Sequence, residues 1–273
     1  MGFITDKQTL EDLNIFGKHG ANSVFNSFNR CATRGGAAML EELFRYPLND
    51  DKAINRRSAV IKHFVSWAGP FPFSQDLFDA IDPYMANQDE RTKLTPVHNS
   101  LGQKVSQLIA PDAESKQVIG GVMALCDLLK ACCAFVTGLQ LPPGHAYDAD
   151  RQAMLSILNE PALADILGSS GKLSMATLAA FDTVLRFRHR DAVVKLLRYI
   201  YYLDVYIAVA RVAQEQGWCF ALALQRDSLT VTINGVYHPQ VPDAVPNSLH
   251  ITPEANVLFL TGANMAGKKK HIG

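Results

Sequence analysis

Through the first 220 positions apolar residues recur at three- and four-residue steps and β-branched alternation is scarce, so this part of the chain is predicted to be helical. The spacing predicts helices over residues 36–46, 51–67, 74–85, 92–109, 113–139, 148–167 and 174–216. Gly69-Pro70-Phe71-Pro72 and Leu141-Pro142-Pro143-Gly144 read as rigid breaks between them. The stretch 174–216 contains neither Pro nor Gly. Its apolar stripe through Val193, Leu196, Leu197, Ile200, Leu203, Ile207 and Ala210 predicts a helix lying along other helices. Ser174 is a suitable N-cap and Gly217 a suitable stop. The pattern is compatible with one rod or with a break near His189.

After Gly217 the texture changes. Residues 220–224 and 229–233 are short apolar runs separated by polar Gln225-Arg226-Asp227-Ser228, a strand-and-turn pattern. Pro239, Pro242 and Pro246 follow, and then residues 256–261 form a continuous apolar run that suits a strand covered on both faces. A boundary is therefore expected near 216–220. Residues 1–217 form a helical core, and residues 218–273 supply a small β segment that opens an incomplete α/β domain. The fold class expected is mainly α.

Composition narrows the function classes. The chain of 273 residues is 48% hydrophobic and 19% charged, with 26 basic against 26 acidic residues, which excludes a disordered polymer and a globally basic nucleic-acid binder. Phosphate contact then needs a local patch. Arg186, Arg188 and Arg190, with Lys195 and Arg198 beyond them, form one opposed only by Asp191, and these three arginines are the candidate DNA contacts. The competing reading is a solvated helical face, since no aromatic side chains interleave. Asp204 flanks the apolar stripe and is expected to pair with a core arginine such as Arg211, and Phe71, Phe73, Phe78 and Tyr84 are expected in the core. The 5 cysteines form no CxxC, so neither a disulfide framework nor a zinc site is expected, and a reducing cytoplasm is the natural compartment. Histidines 19, 63, 98, 145 and 189 lack ligand spacing, so no metal site is expected. Residues 118–141 are apolar enough to suggest a membrane span, but Asp127 and Lys130 stand near the middle, which favours a buried bundle helix.

Directly after the 256–261 run stands Gly262-Ala263-Asn264-Met265-Ala266-Gly267-Lys268, which fits G-x-x-x-x-G-K, the body of a P-loop. Glycines let backbone N–H groups turn inward around phosphate oxygens, and the lysine supplies a point charge. Gly262, Asn264, Met265, Gly267 and Lys268 are the candidate nucleotide contacts. Lys269 stands where a hydroxyl residue holds magnesium, and Lys270-His271-Ile272-Gly273 completes the sequence, with no acidic pair downstream to bind metal or orient water. The basic tail reads as a truncated, frameshifted or expression-derived end, and ATP hydrolysis by this polypeptide is not expected.

The Asn-Met pair inside this loop gives residues 257–268 a resemblance to the Walker A segment of the DNA mismatch repair MutS family. His238-Pro239 and Val245-Pro246-Asn247 are similar to two short motifs ahead of Walker A in that family, and the resemblance implies that His238 and Asn247 buttress the pocket; a turn-forming role is the alternative. Thr9-Leu10-Glu11-Asp12-Leu13-Asn14-Ile15, residues 23–29, Thr33-Arg34-Gly35-Gly36, Tyr46-Pro47-Leu48 and Ile54-Asn55-Arg56-Arg57 resemble the start of the family's helical core. Residues 193–213, with Leu203-Asp204-Val205-Tyr206, resemble its last core helix. The resemblance implies a core/lever module, an ATPase that uses ATP and Mg in the intact parent, DNA held by its backbone, and a homodimer formed through the ATPase domains.

Two departures limit the carry-over. None of the 14 Phe has Glu two positions later, so the family's mismatch-reading wedge is missing, and the stretch between core helices is short for full levers plus a DNA clamp. The nearer likeness is to shorter MutS-like proteins. A non-catalytic helical scaffold or partner-binding protein is the alternative function.

Overall fold

The computed structural model describes residues 6–17, 23–96, 113–239, 241 and 243–259. Two compact units emerge, one from Met1–Gly69 with Asp204–Gly273 and one from Pro70–Leu203.

The first unit opens with helices α1 (Lys7–Asp12), α2 (Val24–Phe28), α3 (Arg34–Arg45) and α4 (Asp51–Trp67). Each starts at a residue whose side chain accepts a bond from the first turn: Asp6, Ser23, Thr33 and Asp50. Leu40, Val60 and Phe64 are buried, and the rings of Phe16, Phe25, Phe28 and Phe44 meet pairwise at 5.6–5.9 Å.

In the second unit come α5 (Gln75–Ala86), a 3₁₀ turn (Glu90–Thr92), α6 (Ala113–Gly138), α7 (Asp148–Leu158), a 3₁₀ turn (Pro161–Leu163), α8 (Ala164–Gly168) and α9 (Met175–Asp182). A π-helical segment (Thr183–Arg188) then leads into α10 (Arg190–Gln216). The core of this unit is Phe78, Ile81, Val122, Leu125, Leu128, Leu129, Met154, Leu163 and Ile166, all buried. Phe73, Phe78 and Tyr84 are buried here as the sequence predicts, while Phe71 is half-buried and touches both phenylalanines. Helix α6 is long and apolar enough to cross a membrane, yet half of its most apolar stretch is buried within the protein. Asp127 stands on its exposed side, and Lys130 Nζ donates to the Ser169 carbonyl at 2.7 Å.

Helices over 51–67 and 113–138 fall where the pattern predicts them. The single helix expected over 148–167 is instead interrupted, because Pro161 has no N–H to continue the ladder from α7. The stretch 174–216 is broken at His189, whose N–H donates to the Val184 carbonyl five residues back, closing the π turn. Of the helix expected over 92–109, only Thr92 is helical among the described residues, at the end of a 3₁₀ turn, and 97–109 lies outside them. Ser174 does cap α9, its hydroxyl accepting from Thr177 N at 3.1 Å. Gly217 ends α10 at φ 65°, a conformation natural to glycine, with Trp218 N donating to Ala213 O and Gly217 N to Gln214 O, a Schellman closure.

The residues of α10 from Asp204 onward belong to the first unit, where Val205, Tyr206, Ile207, Ala208, Ala210 and Val212 are buried. Its sheet has two antiparallel strands, β1 (Val231–Val236) and β2 (Asn247–Ile251), with Val231 opposite Ile251 and Ile233 opposite Leu249. Two strand expectations are corrected. Residues 220–224 form no strand; the Asn55 side-chain amide takes the place of a neighbouring strand, donating to the Ala223 carbonyl and accepting its N–H, both at 2.8 Å. Residues 256–259 lie outside the sheet and are exposed, because no described backbone covers or pairs with them; 260 and 261 lie outside the described residues.

Asp204 organises the first unit. Its buried carboxylate accepts from Ala32 N at 2.9 Å, Thr33 N at 2.8 Å and Thr33 Oγ1 at 2.7 Å, while Thr33 Oγ1 accepts from Gly36 N. The expected pairing with Arg211 is corrected: the N-terminus of α3, with its orphan N–H groups and positive dipole end, serves the charge instead. A Cβ on Gly36 would run into the Asp204 carboxylate, so the close approach requires glycine here. Burial raises the Asp204 carboxyl above its ordinary 3.8, against the lowering effect of the Ala32 and Thr33 donors. An acid raised on folding contributes stability below its unfolded value and loses that contribution as pH rises through its folded one. Urea melts of the wild type therefore lose stability over the window above pH 3.8, and Asp204→Asn removes that component of the slope. Asp204→Ala leaves three donors unmet and lowers the unfolding free energy by about 3 kcal/mol.

Candidate functional site

The residues singled out from sequence fall in three places. Gly262, Asn264, Met265, Gly267 and Lys268 lie outside the described residues. By sequence they offer two glycines and one ammonium, residue types that a phosphate site uses. The set does not suit magnesium, because Lys269 brings a second ammonium where an oxygen ligand is needed.

His238 and Asn247 bracket the proline-containing loop between β1 and β2. His238 is half-buried and its carbonyl accepts from Val241 N at 3.1 Å; Asn247 is exposed and its Nδ2 donates to the Val245 carbonyl at 2.9 Å. Both bonds shape the loop's own backbone.

The arginine cluster separates into members with different chemistry. Arg186 is 0% exposed, which removes it from any phosphate surface and corrects the expectation that it contacts DNA. Its Nε donates to Asp182 Oδ1 at 2.9 Å and Nη2 to Asp182 Oδ2 at 2.8 Å. Nη1 reaches Thr92 Oγ1 at 2.7 Å and the Asn87 carbonyl at 3.4 Å, and Nη2 also reaches the Thr92 carbonyl at 3.0 Å. All five guanidinium donors are thereby used. Asp182 is equally saturated, since Oδ1 also accepts from the Tyr84 hydroxyl at 3.0 Å and Oδ2 from Leu94 N at 3.0 Å. The Arg186 guanidinium further lies 4.7 Å from the Phe187 ring and 5.3 Å from that of Tyr84. Burial, then the Asp182 charge, holds the Tyr84 hydroxyl well above its usual range, so it stays a protonated donor.

Arg190 is half-buried, with Nη2 donating to the Met85 carbonyl at 3.2 Å. Arg188, Lys195 and Arg198 are exposed, and Arg198 lies 5.7 Å from the Tyr202 ring. The exposed cations are thus Arg188, Lys195 and Arg198, of which the first alone was among the three candidate contacts.

Sequence reasoning missed Asp182, Thr92 and Asn55 as organising residues. Asp182 and Arg186 do stand at i and i+4, a spacing that brings opposite charges together on a helix. The partners at Asn87, Thr92 and Leu94 come from a separate segment, and local pattern carries no signal for them. Three thiols are held protonated by burial, which pushes Cys31 and Cys132 up to about 12 and Cys126 up to about 11.

Helices held by buried, donor-saturated carboxylates, followed in the chain by an antiparallel hairpin, define a multi-helix module. The family described as MutS domain III matches residues 8–210, well over half of the chain, and the chain belongs to the MutS family of DNA mismatch repair proteins. Among curated relatives, the DNA mismatch repair protein MutS of Granulibacter bethesdensis (strain ATCC BAA-1260 / CGDNIH1) is 35% identical over 78 residues. That alignment covers 26% of this chain and 8% of the relative.

The separation of the cluster is measurable. Arg186→Ala leaves the buried Asp182 carboxylate uncompensated and destabilises the protein by about 3–5 kcal/mol, whereas Arg188→Ala, at an exposed site, shifts it by less than about 0.5 kcal/mol. Denaturant melts of the two variants check the contrast.

Proposed function

We propose that this chain is the core/lever portion of a MutS-like DNA repair ATPase, with residues 218–273 forming the start of the ATPase domain. The observation that carries this reading is the order of its parts: a domain III match over residues 8–210, then the hairpin, then the Asn-Met glycine loop at 262–268. In the intact parent, ATP binding and hydrolysis are coupled to DNA binding, ATP and Mg are the cofactors, and dimerisation runs through the ATPase domains. Gly262, Asn264, Met265, Gly267 and Lys268 contribute the phosphate cradle, and His238 and Asn247 support it through the loop they shape.

This polypeptide itself does not turn over ATP on our reading. Lys269 offers no oxygen to magnesium where a hydroxyl residue would. DNA contact by this portion is through the phosphate backbone, which exposed cations meet without reading bases. Arg188, Lys195 and Arg198 are the side chains offered to phosphates, being the exposed members of the cluster.

Fluorescence anisotropy with a labelled DNA duplex, titrated over salt, tests the reading. Binding weakens linearly in log–log form as salt rises, and Lys195→Ala and Arg198→Ala each lower the slope by about one while weakening all sequences alike. Absence of binding at low salt, or affinity indifferent to salt, contradicts it and favours a scaffold that recognises protein partners.

A further inference from the structure

The exposed cations of α10 share their helix face with an aromatic ring. At about 3.6 residues per turn, Asp191, Lys195, Arg198 and Tyr202 fall within about 60° of one another around the helix, and the opposite side carries the buried Val193, Leu196, Leu197, Ile200 and Leu203. Asp191, Lys195 and Arg198 are exposed and Tyr202 is half-buried, with the Arg198 guanidinium 5.7 Å over its ring. All four lie within the second unit. Lys195 and Tyr202 stand two turns apart, about 10 Å along the axis.

Phe187 and Tyr201, the neighbouring rings, are engaged elsewhere. Lys93 Nζ lies 4.1 Å and the Arg186 guanidinium 4.7 Å from the centre of the Phe187 ring. Tyr201 turns toward α5, its hydroxyl donating to Asp82 Oδ1 at 2.7 Å and its ring centre 5.8 Å from that of Phe78. Burial, then the bond to Asp82, holds that hydroxyl well above its usual range, so it stays a donor. Tyr202 is thus the ring that the fold sets under a surface cation.

A phosphate backbone alone needs only the cations. A guanidinium over an aromatic ring adds a flat, polarisable platform, and the group that fits such a platform is the face of a nucleobase. In a duplex those faces are covered by neighbouring base pairs, whereas an unpaired strand offers a base face and its phosphates together. The separation of Lys195 from Tyr202 matches about three nucleotides at the stacked rise of about 3.4 Å. Asp191, one turn before Lys195, repels phosphate and marks the amino end of the stretch. We propose that the Lys195, Arg198 and Tyr202 face of α10 takes an unpaired DNA strand, its phosphates meeting the two cations and one base stacking on the Arg198 and Tyr202 pair. This face is part of the DNA contact proposed above, on which the inference rests, and the ring sets which form of DNA it prefers. Stacking tolerates every base, in keeping with a contact that reads no sequence.

Fluorescence anisotropy of the full chain, with a labelled oligothymidine of about 20 nucleotides and with a duplex of equal length, tests it. The single strand binds at least about five-fold tighter than the duplex at equal low salt. Tyr202→Leu, which keeps apolar bulk and helix propensity, weakens the single strand about ten-fold, the size of one lost base stack, while the duplex changes by less than about two-fold and the salt slope stays the same. Tyr202→Phe keeps the ring and the affinity. Lys195→Ala lowers the single-strand salt slope by about 0.7. Salt-dependent duplex binding with no advantage for the single strand, or a Tyr202→Leu effect equal on both DNAs, overturns the proposal and leaves the DNA reading standing. No binding of either DNA at low salt overturns both.

Discussion

A carboxylate taken out of water must be met by donors, and the packing of this chain is arranged around two that are. Asp182 and Asp204 are both buried. Asp182 receives Arg186 on both oxygens together with the Tyr84 hydroxyl and the Leu94 N–H, whereas Asp204 receives the Ala32 and Thr33 N–H groups and the Thr33 hydroxyl. Each carboxylate therefore pins a segment distant in sequence, the 87–94 connection in one unit and the start of α3 in the other. An unmet charge in either place costs several kcal/mol, a large share of the whole stability of a domain. The identities around them follow: glycine at 36 for close approach, threonine at 33 to cap α3 and donate at once, and an arginine at 186 with every N–H engaged.

This division of labour bears on function. Positive charge along residues 186–198 looks uniform in sequence, but the fold spends its most central arginine on architecture and leaves Arg188, Lys195 and Arg198 at the surface. A surface that meets phosphates by screened attraction tolerates loss of one cation at a time; a buried pair does not. The helical core thus separates cations that hold the scaffold from cations at its surface.

Much of the scaffold was legible from local pattern. The stripe in α10, the Ser174 cap and the Gly217 stop depend on neighbours within a turn or two, and so did the family likeness carried by short contiguous motifs. What escaped was set by distant partners. Asn55 imitates a strand for Ala223, and Asp204 finds α3 and not Arg211, because the contact is decided by which helix end arrives there. The apolar run 256–261 predicts a covered strand while 256–259 are exposed, since apolar continuity reports what a segment needs and not what lies beside it. Among the candidate site residues, burial was the missing quantity: nothing in Arg-Phe-Arg-His-Arg distinguishes the inward arginine except its i+4 spacing from Asp182.

A double-mutant cycle on Asp182 and Arg186, read by urea denaturation of Asp182→Asn, Arg186→Met and the pair, tests the central claim most directly. Strong coupling is expected: the paired replacement costs less than the sum of the single ones by about 2–3 kcal/mol, since either single change strands a polar group that the double change does not. Additivity within about 0.5 kcal/mol would contradict it, showing that the two side chains do not meet as a buried, mutually satisfied pair.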